Sequence, residues 1–157
     1  MTTRHLETSR SFPVTVEHAY ETVLVAPLTD IFRRRFLAIP RIAEVIGQEG
    51  EWGAAVGQTR TIRLSDGGTM LETLTELDRP HRFGYSIGTI KGMMKPLIAS
   101  VDGTWAFAST DTGARITWSW EVTPTHRLGR LAMPAFARMW QGYAARAMDQ
   151  VEQILLP

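Results

Sequence analysis

Residues 98–123 read IASVDGTWAFASTDTGARITWSWEVT, and this stretch decides the fold. Two runs rich in aromatic and β-branched residues, 98–108 and 114–123, flank the turn sequence 110–113, which predicts an antiparallel hairpin. A four-residue loop at that turn gives these pairs on one face: Phe107 with Ile116, Trp105 with Trp118, and Gly103 with Trp120. The other face carries small and polar residues, so we expect a sheet with one buried and one solvated face.

The tryptophans of this hairpin allow two interpretations. Large aromatic side chains dominate the burial of ordinary cores, so each indole is expected in a core whether or not a ligand binds. Gly103 opposite Trp120, however, leaves space on the buried face where another residue would place a side chain. Several indoles on one face, opposite Trp140 and Tyr143 of the helix predicted at the C-terminus, favour the wall of a cavity.

A long amphipathic helix is predicted to follow the hairpin, over 127–155. Its apolar residues recur at spacings of three and four: Phe136, Trp140, Tyr143, Ala147, Val151 and Ile154. Pro134 lies inside this pattern, and because proline lacks an N–H, either the helix kinks there or its straight part begins there. The aromatic face of this helix is expected to lie opposite the tryptophans of the hairpin.

Towards the N-terminus, the pattern predicts further strands and two short helices. The strands are 4–12, 42–49, 58–64, 69–77 and 82–90. Short turns between consecutive strands require antiparallel pairing. One helix is expected over 16–25 with Thr15 as N-cap, and a second carries Ile31, Phe32 and Phe36. The order of strand, two helices, six strands and long helix is that of an α+β fold with its helices on one face of the sheet.

The composition is that of an ordinary globular chain. The chain has 157 residues, 44% of them hydrophobic, and a net charge of +1, which predicts one domain over 1–157. The absence of cysteine excludes disulfides, thiolate metal sites and cysteine nucleophiles. No apolar run reaches the roughly 18 residues of a membrane span, and no signal peptide is recognisable, so we expect a soluble cytoplasmic protein. Five tryptophans are the uncommon feature, and Trp52 among them has no assigned role.

Several motifs resemble those of one family. They are Gly57-Gln58-Thr59-Arg60, Asp66-Gly67-Gly68, Glu72, the run LDRPHRFGY from Leu77 to Tyr85, and Gly113-Ala114-Arg115-Ile116-Thr117-Trp118 before a proline and the long helix. Together they resemble the polyketide cyclase/dehydrase branch of the START-like (SRPBCC, helix-grip) superfamily, across essentially the whole chain. The resemblance implies a helix-grip fold, in which a curved seven-stranded antiparallel sheet wraps around the long C-terminal helix. It also implies a cavity between them for a small, mainly apolar ligand.

Some cavity residues follow from the resemblance as well. The stretch 60–87 is similar to the same region of the plant abscisic acid receptors. There an inward carboxylate at the place of Glu72, with side chains at the places of Tyr85 and Ile87, lines the pocket. The partner loops that make those receptors hormone switches are not recognisable in this chain, so hormone sensing is not implied.

The turn near 65–68 decides which face Arg60 occupies. A three-residue loop with Gly68 left-handed gives these pairs: Leu64 with Met70, Ile62 with Glu72, and Arg60 with Leu74. Arg60 and Glu72 then share the cavity face, whereas a two-residue loop brings Arg63 beside Glu72 on the outer face. An inward arginine–glutamate pair is either a structural ion pair of the wall, or a ligand anchor or acid–base set.

Three functions are compatible with this reading. The proposed ligand contacts are Arg60, Ile62, Glu72, Tyr85, Ile87, Trp105, Trp118, Trp120, Phe136, Trp140 and Tyr143. The first hypothesis is a carrier or sequestering protein for a small hydrophobic molecule such as a lipid, isoprenoid or polyketide. The second is an aromatase/cyclase-type enzyme in which Arg60, Glu72 or Tyr85 moves protons during aldol closure and water loss. The third is a regulatory protein-interaction module whose cavity is filled by its own side chains.

Other chemistries find no support in the sequence. The histidines have no metal-site spacing, so no metal is predicted: His5, His18, His81 and His126. No glycine-rich loop precedes a helix and no nucleophile elbow is present, so no cofactor is predicted. The basic run Arg33-Arg34-Arg35 is typical of a solvated helix face, so no nucleic-acid partner is expected. In the third hypothesis this run or the long helix contacts a protein, and the sequence leaves the oligomeric state undefined.

Overall fold

The computed structural model describes residues 2–157, and its elements follow the predicted order. The strands are β1 (Arg4–Phe12), β2 (Ile42–Ile46), β3 (Thr59–Leu64), β4 (Thr69–Asp78), β5 (Arg82–Lys91), β6 (Ile98–Thr110) and β7 (Gly113–Pro124). The helices are α1 (Val16–Val25), α2 (Leu28–Ile31) and α3 (Arg127–Leu155). The α+β class is therefore confirmed.

The strands form one curved, seven-stranded antiparallel sheet in the order β1-β7-β6-β5-β4-β3-β2. β1 pairs with β7 at one edge, and α1 and α2 carry the chain from there to β2 at the opposite edge. The register of the last hairpin is as predicted: Phe107 faces Ile116, Trp105 faces Trp118, and Gly103 faces Trp120. The large side chains of β6 and β7 therefore lie on the inner face.

The long helix α3 lies in the curve of the sheet, which confirms the helix-grip arrangement. It packs against β1, β7 and both short helices. Its buried residues are Gly129, Met133, Phe136, Ala137, Trp140, Tyr143, Ala144, Ala147, Met148, Val151 and Leu155. The helix continues through Pro134, which lies within its 29 residues. One face of α3 thus closes the inner side of the sheet.

The second short helix differs from the prediction. α2 ends at Ile31, and Phe32 caps its C-terminus instead of lying within it. Phe36 lies beyond the helix in an isolated bridge with Ile39. Its ring packs on Gly142 of α3, where an added Cβ would lie 2.3 Å from Phe36 Cζ. A tertiary contact with α3 therefore positions Phe36, and helical periodicity does not.

The register predicted for the β3–β4 hairpin is wrong by two residues. Arg60 lies directly opposite Glu72, and Ile62 lies opposite Met70. The left-handed residue is Gly67, with φ +91°, because the turn begins one residue earlier than expected. The carboxylate of Asp66 accepts a hydrogen bond from the N–H of Gly68 at 2.8 Å and stabilises this turn. A shift of two residues leaves every side chain on its expected face.

Candidate functional site

A cavity lies between the inner face of the sheet, α3 and the chain around α2. Its volume is about 70 Å³, and its lining is mostly aliphatic and aromatic. All the side chains proposed from the sequence as ligand contacts border it: Arg60, Ile62, Glu72, Tyr85, Ile87, Trp105, Trp118, Trp120, Phe136, Trp140 and Tyr143. The fold therefore brings the whole set together, and its role in binding is a proposal.

Sequence reasoning missed the part of the lining that comes from the short helices and the segments around them. Phe32 shows why. Its ring stacks on Tyr143 with centroids 5.6 Å apart and packs on Trp118 with centroids 5.1 Å apart. Because Phe32 follows a four-residue helix, no periodicity predicts the direction of its side chain. The position of Phe83 was predictable, since it lies two residues before Tyr85 in β5 and the two side chains therefore share the inner face of the sheet.

Arg60 and Glu72 form a buried ion pair in the cavity wall. Nε of Arg60 donates to Oε1 of Glu72 at 2.7 Å, and the two residues are only 6% and 3% exposed. Nη1 of Arg60 also donates to Oε1 of Gln48 at 3.3 Å. Burial raises the pKa of Glu72 above its ordinary value, because the loss of hydration outweighs the attraction of Arg60. This pair is the charged end of an otherwise apolar cavity.

Trp52, to which the sequence assigned no role, supports this ion pair. The guanidinium carbon of Arg60 lies 3.8 Å from the centroid of the Trp52 ring, in cation–π geometry. Trp52 is buried although it lies in irregular chain between β2 and β3. The Gln58 side chain holds that segment, since its Oε1 accepts hydrogen bonds from the N–H groups of Gly53 and Ala55. An irregular segment has no repeating pattern, so the sequence did not reveal this contact.

Tyr85 holds a hydroxyl group at the centre of the aromatic wall. Its oxygen accepts hydrogen bonds from Nε1 of Trp118 and from Nε1 of Trp120, both at 2.8 Å. These two bonds use both lone pairs of the oxygen, so the hydroxyl hydrogen is left as a donor. Burial raises the pKa of Tyr85, and the two indole bonds oppose that shift. The group is therefore a neutral phenol at physiological pH.

The gap expected beside Gly103 is occupied by this same tyrosine. A Cβ added at Gly103 would lie 2.1 Å from Cζ of Tyr85 and 2.5 Å from its hydroxyl oxygen. The glycine thus makes room for a neighbouring side chain, and it leaves no space for a ligand at that point. The space that the sequence predicts at Gly103 is therefore present but filled by Tyr85, because β5 places Tyr85 directly across from Gly103.

Three tryptophans of the cavity lining, Trp105, Trp118 and Trp140, pack against one another. The ring centroid of Trp118 lies 5.4 Å from that of Trp105 and 4.8 Å from that of Trp140. Within the chain that the structure describes, Nε1 of Trp140 is fully buried and has no hydrogen-bond partner. Burial also raises the pKa of Tyr143, so its hydroxyl is neutral. The residues that line the cavity therefore include polar N–H and O–H groups among mostly apolar side chains.

These features define a helix-grip fold that encloses an apolar cavity with a small number of polar groups. The chain belongs to the polyketide cyclase / dehydrase and lipid transport family, whose model matches residues 3–155. The comparison with curated proteins gives no significant match.

Solved structures share the fold at low sequence identity. Ginseng major latex-like protein 151 from Panax ginseng is 14% identical, with a TM-score of 0.68 and full coverage of both chains. Protein MLL2253 from Mesorhizobium loti is also 14% identical, with a TM-score of 0.66 and coverage of 97% of this chain and 96% of that one. The di-domain ARO/CYC BexL from the BE-7585A biosynthetic pathway is 16% identical, with a TM-score of 0.71, over 99% of this chain and 50% of that one. At such identities the likeness shows the fold alone.

None of the helices in residues 2–157 is long and apolar enough to cross a membrane. No three histidine, aspartate or glutamate side chains in the same range are grouped so that they could hold a metal ion.

Proposed function

We propose that the protein binds a small hydrophobic molecule carrying a hydrogen-bond acceptor, such as a ketone, and acts as its carrier or sequestering protein. The observation that carries the proposal is the buried Nε1–H of Trp140, a residue of the cavity lining, which has no hydrogen-bond partner among residues 2–157. A buried donor without an acceptor costs about 1–3 kcal/mol, and a bound carbonyl group would remove that cost. The hydroxyl hydrogen of Tyr85 offers a second donor to the same ligand.

The size of the cavity limits how the ligand enters. Pockets for drug-sized ligands have volumes of roughly 300–1,000 Å³, whereas this cavity has about 70 Å³. A ligand with one or more rings must therefore displace lining side chains. Met70 and Met94 border the cavity, and their unbranched side chains change rotamer at low cost. Binding in this proposal is coupled to rearrangement of the wall.

The test compares acetophenone with ethylbenzene, which has nearly the same shape but lacks the carbonyl oxygen. We expect acetophenone to raise the melting temperature more than ethylbenzene does. In Trp140→Phe, which keeps a ring but loses the N–H, the affinity for acetophenone should fall by about three- to tenfold while that for ethylbenzene changes little. The proposal is wrong if neither compound stabilises the protein, and a module with a permanently filled cavity then becomes the better account.

A second candidate function, aldol cyclisation of a polyketone, is favoured by the position of Tyr85 near the Arg60–Glu72 pair. The carboxylate of Glu72 would take a proton from the carbon between two carbonyl groups, and that carbon would then attack a second carbonyl carbon. The hydroxyl of Tyr85 would protonate the forming alkoxide, while the N–H groups of Trp118 and Trp120 stabilise the phenolate. Transfer of the proton from Glu72 back to the phenolate restores both groups.

Activity on a linear triketone tests this candidate, with formation of the cyclised product followed by absorbance. Tyr85→Phe and Glu72→Gln should each lower kcat by about a hundredfold, as is typical for loss of a general acid or base. Tyr20→Phe is the matched control, since Tyr20 is also a buried tyrosine but does not border the cavity, and its hydroxyl has no hydrogen-bond partner among the described residues. Equal rates in Tyr85→Phe and wild type would exclude the acid role of Tyr85.

A further inference from the structure

One end of the molecule carries large apolar side chains on its surface. It is formed by the loop between β5 and β6 and by the first turns of α3, and we call it the end patch. Its residues are Met93, Lys95, Arg127, Leu128, Arg130 and Leu131. Met93 is 72% exposed, Leu128 is 54% exposed and Leu131 is 82% exposed. Leu128 and Leu131 are three residues apart, so they project from the same side of the helix.

Backbone contacts hold the two segments of the end patch together. The N–H of Thr125 donates to the carbonyl oxygen of Leu97 at 3.0 Å. The same oxygen lies so close to Gly129 that an added Cβ would be 2.3 Å from it. The hydroxyl of Thr125 also donates a hydrogen bond to the carbonyl oxygen of Pro96, so the loop and the start of α3 are in direct contact and present one surface.

The charge of this surface is positive. Lys91, Lys95, Arg127 and Arg130 are all exposed, and none of them has an ion-pair partner among the described residues. No acidic residue occurs in 91–97 or 125–138. The adjacent β3–β4 turn contributes one acidic residue, Asp66, whose carboxylate accepts a hydrogen bond from the N–H of Gly68 within the same turn. The end patch thus combines apolar side chains with a clear excess of positive charge.

This composition opposes the stability of α3. Arg127 and Arg130 lie at the N-terminal end of the helix, where the helix dipole favours acidic residues. The first turn contains no acid, and His126 provides no side-chain cap. Exposed leucines contribute nothing to the core. Folding alone therefore does not account for the residues found at this end.

We propose that the end patch docks on an anionic lipid bilayer, with Met93, Leu128 and Leu131 in the interfacial region and the basic residues against lipid phosphates. A cationic surface with exposed apolar side chains fits such an interface, since both the apolar burial and the charge attraction favour binding. Met94, the residue after Met93, borders the cavity. Docking therefore brings the cavity wall next to the bilayer, although the docking does not depend on the ligand proposed above.

Vesicle flotation tests this inference with the whole protein and no added ligand. We expect binding to vesicles of phosphatidylglycerol and phosphatidylcholine in equal amounts, and little binding to phosphatidylcholine alone. High salt should release the protein. The double variants Leu128→Ser with Leu131→Ser, and Arg127→Glu with Arg130→Glu, should each lower the partition coefficient at least about tenfold. Circular dichroism checks that these exposed substitutions leave the fold intact.

Two controls match the two kinds of substitution. Val56→Ser removes an apolar side chain of similar exposure (57%) outside the end patch. Arg33→Glu with Arg34→Glu reverses two exposed charges that are not part of the end patch. Both controls should bind vesicles like the wild type. The inference is overturned if the wild type does not bind, if the controls lose binding equally, or if the patch variants change only self-association. The ligand test contains no vesicles, so either proposal can fail without the other.

Discussion

Gly103 is the residue on which the inner wall depends most directly. Because Tyr85 fills the space where a Cβ would be, Gly103→Ala must displace the tyrosine ring from both indole N–H groups. We expect the free energy of unfolding to fall by about 1–3 kcal/mol. Gly88→Ala on β5 is the control, since no atom lies within 4 Å of an added Cβ there, and it should be nearly neutral. Equal losses in the two variants, measured by urea denaturation, would contradict the close packing at Gly103.

Glu72 is a second residue whose burial has a measurable consequence. Because burial raises its pKa above 4.5, the folded chain binds this proton more tightly than the unfolded chain does. The stability from this group is therefore full below about pH 4.5 and is lost as the pH rises through the folded pKa. Glu72→Gln lacks this titration. The free energy of unfolding of the wild type, relative to that of Glu72→Gln, should thus fall as the pH is raised from about 4.5. Denaturant titration of both proteins at each pH measures this difference. If the two free energies change with pH in parallel, the raised pKa of Glu72 is refuted.

At the scale of elements, α1 depends on its N-cap. Oγ1 of Thr15 accepts a hydrogen bond from the N–H of His18 at 3.1 Å, which satisfies one of the free donors of the first turn. Thr15→Ala should lower the free energy of unfolding by about 1 kcal/mol in denaturant titration. Thr15→Ser keeps the hydroxyl group and should retain most of the stability. If Thr15→Ser is as unstable as Thr15→Ala, the lost stability comes from packing of the threonine methyl group and not from the hydrogen bond of the cap.

The two parts of the inner wall differ in how far the sequence determines them. The β6–β7 hairpin was predictable to the residue, because a two-residue periodicity and one short turn define both register and face. The β3–β4 hairpin has two adjacent glycines, and the left-handed one is Gly67, while the N–H of Gly68 donates a hydrogen bond to the carboxylate of Asp66. Chain between the regular elements was the least predictable. There Trp52, Phe32 and Phe36 are placed by contacts with distant residues.

At the scale of the whole molecule, the cavity is small because aromatic side chains fill most of the space that the sheet encloses. Phe136→Ala should enlarge it, lower the free energy of unfolding by about 3–5 kcal/mol and create a site for benzene. Benzene should then raise the melting temperature of this variant. Phe12→Ala is the control, since Phe12 is equally buried but does not border the cavity. It should lose stability and gain less from benzene, because the space it leaves is not joined to the existing cavity, and an equal gain would show that the existing cavity adds nothing to the benzene site.

The sequence by itself determined the α+β class, the order of the elements, the inward face of the last hairpin and the apolar face of the long helix. Those features depend on periodicities of two and 3.6 residues and on turn chemistry, which are local. Only the tertiary structure decided that Tyr85 fills the gap at Gly103, that Trp52 supports Arg60, and how little space is left. Those features depend on how side chains from distant strands pack in three dimensions, and no local pattern records that.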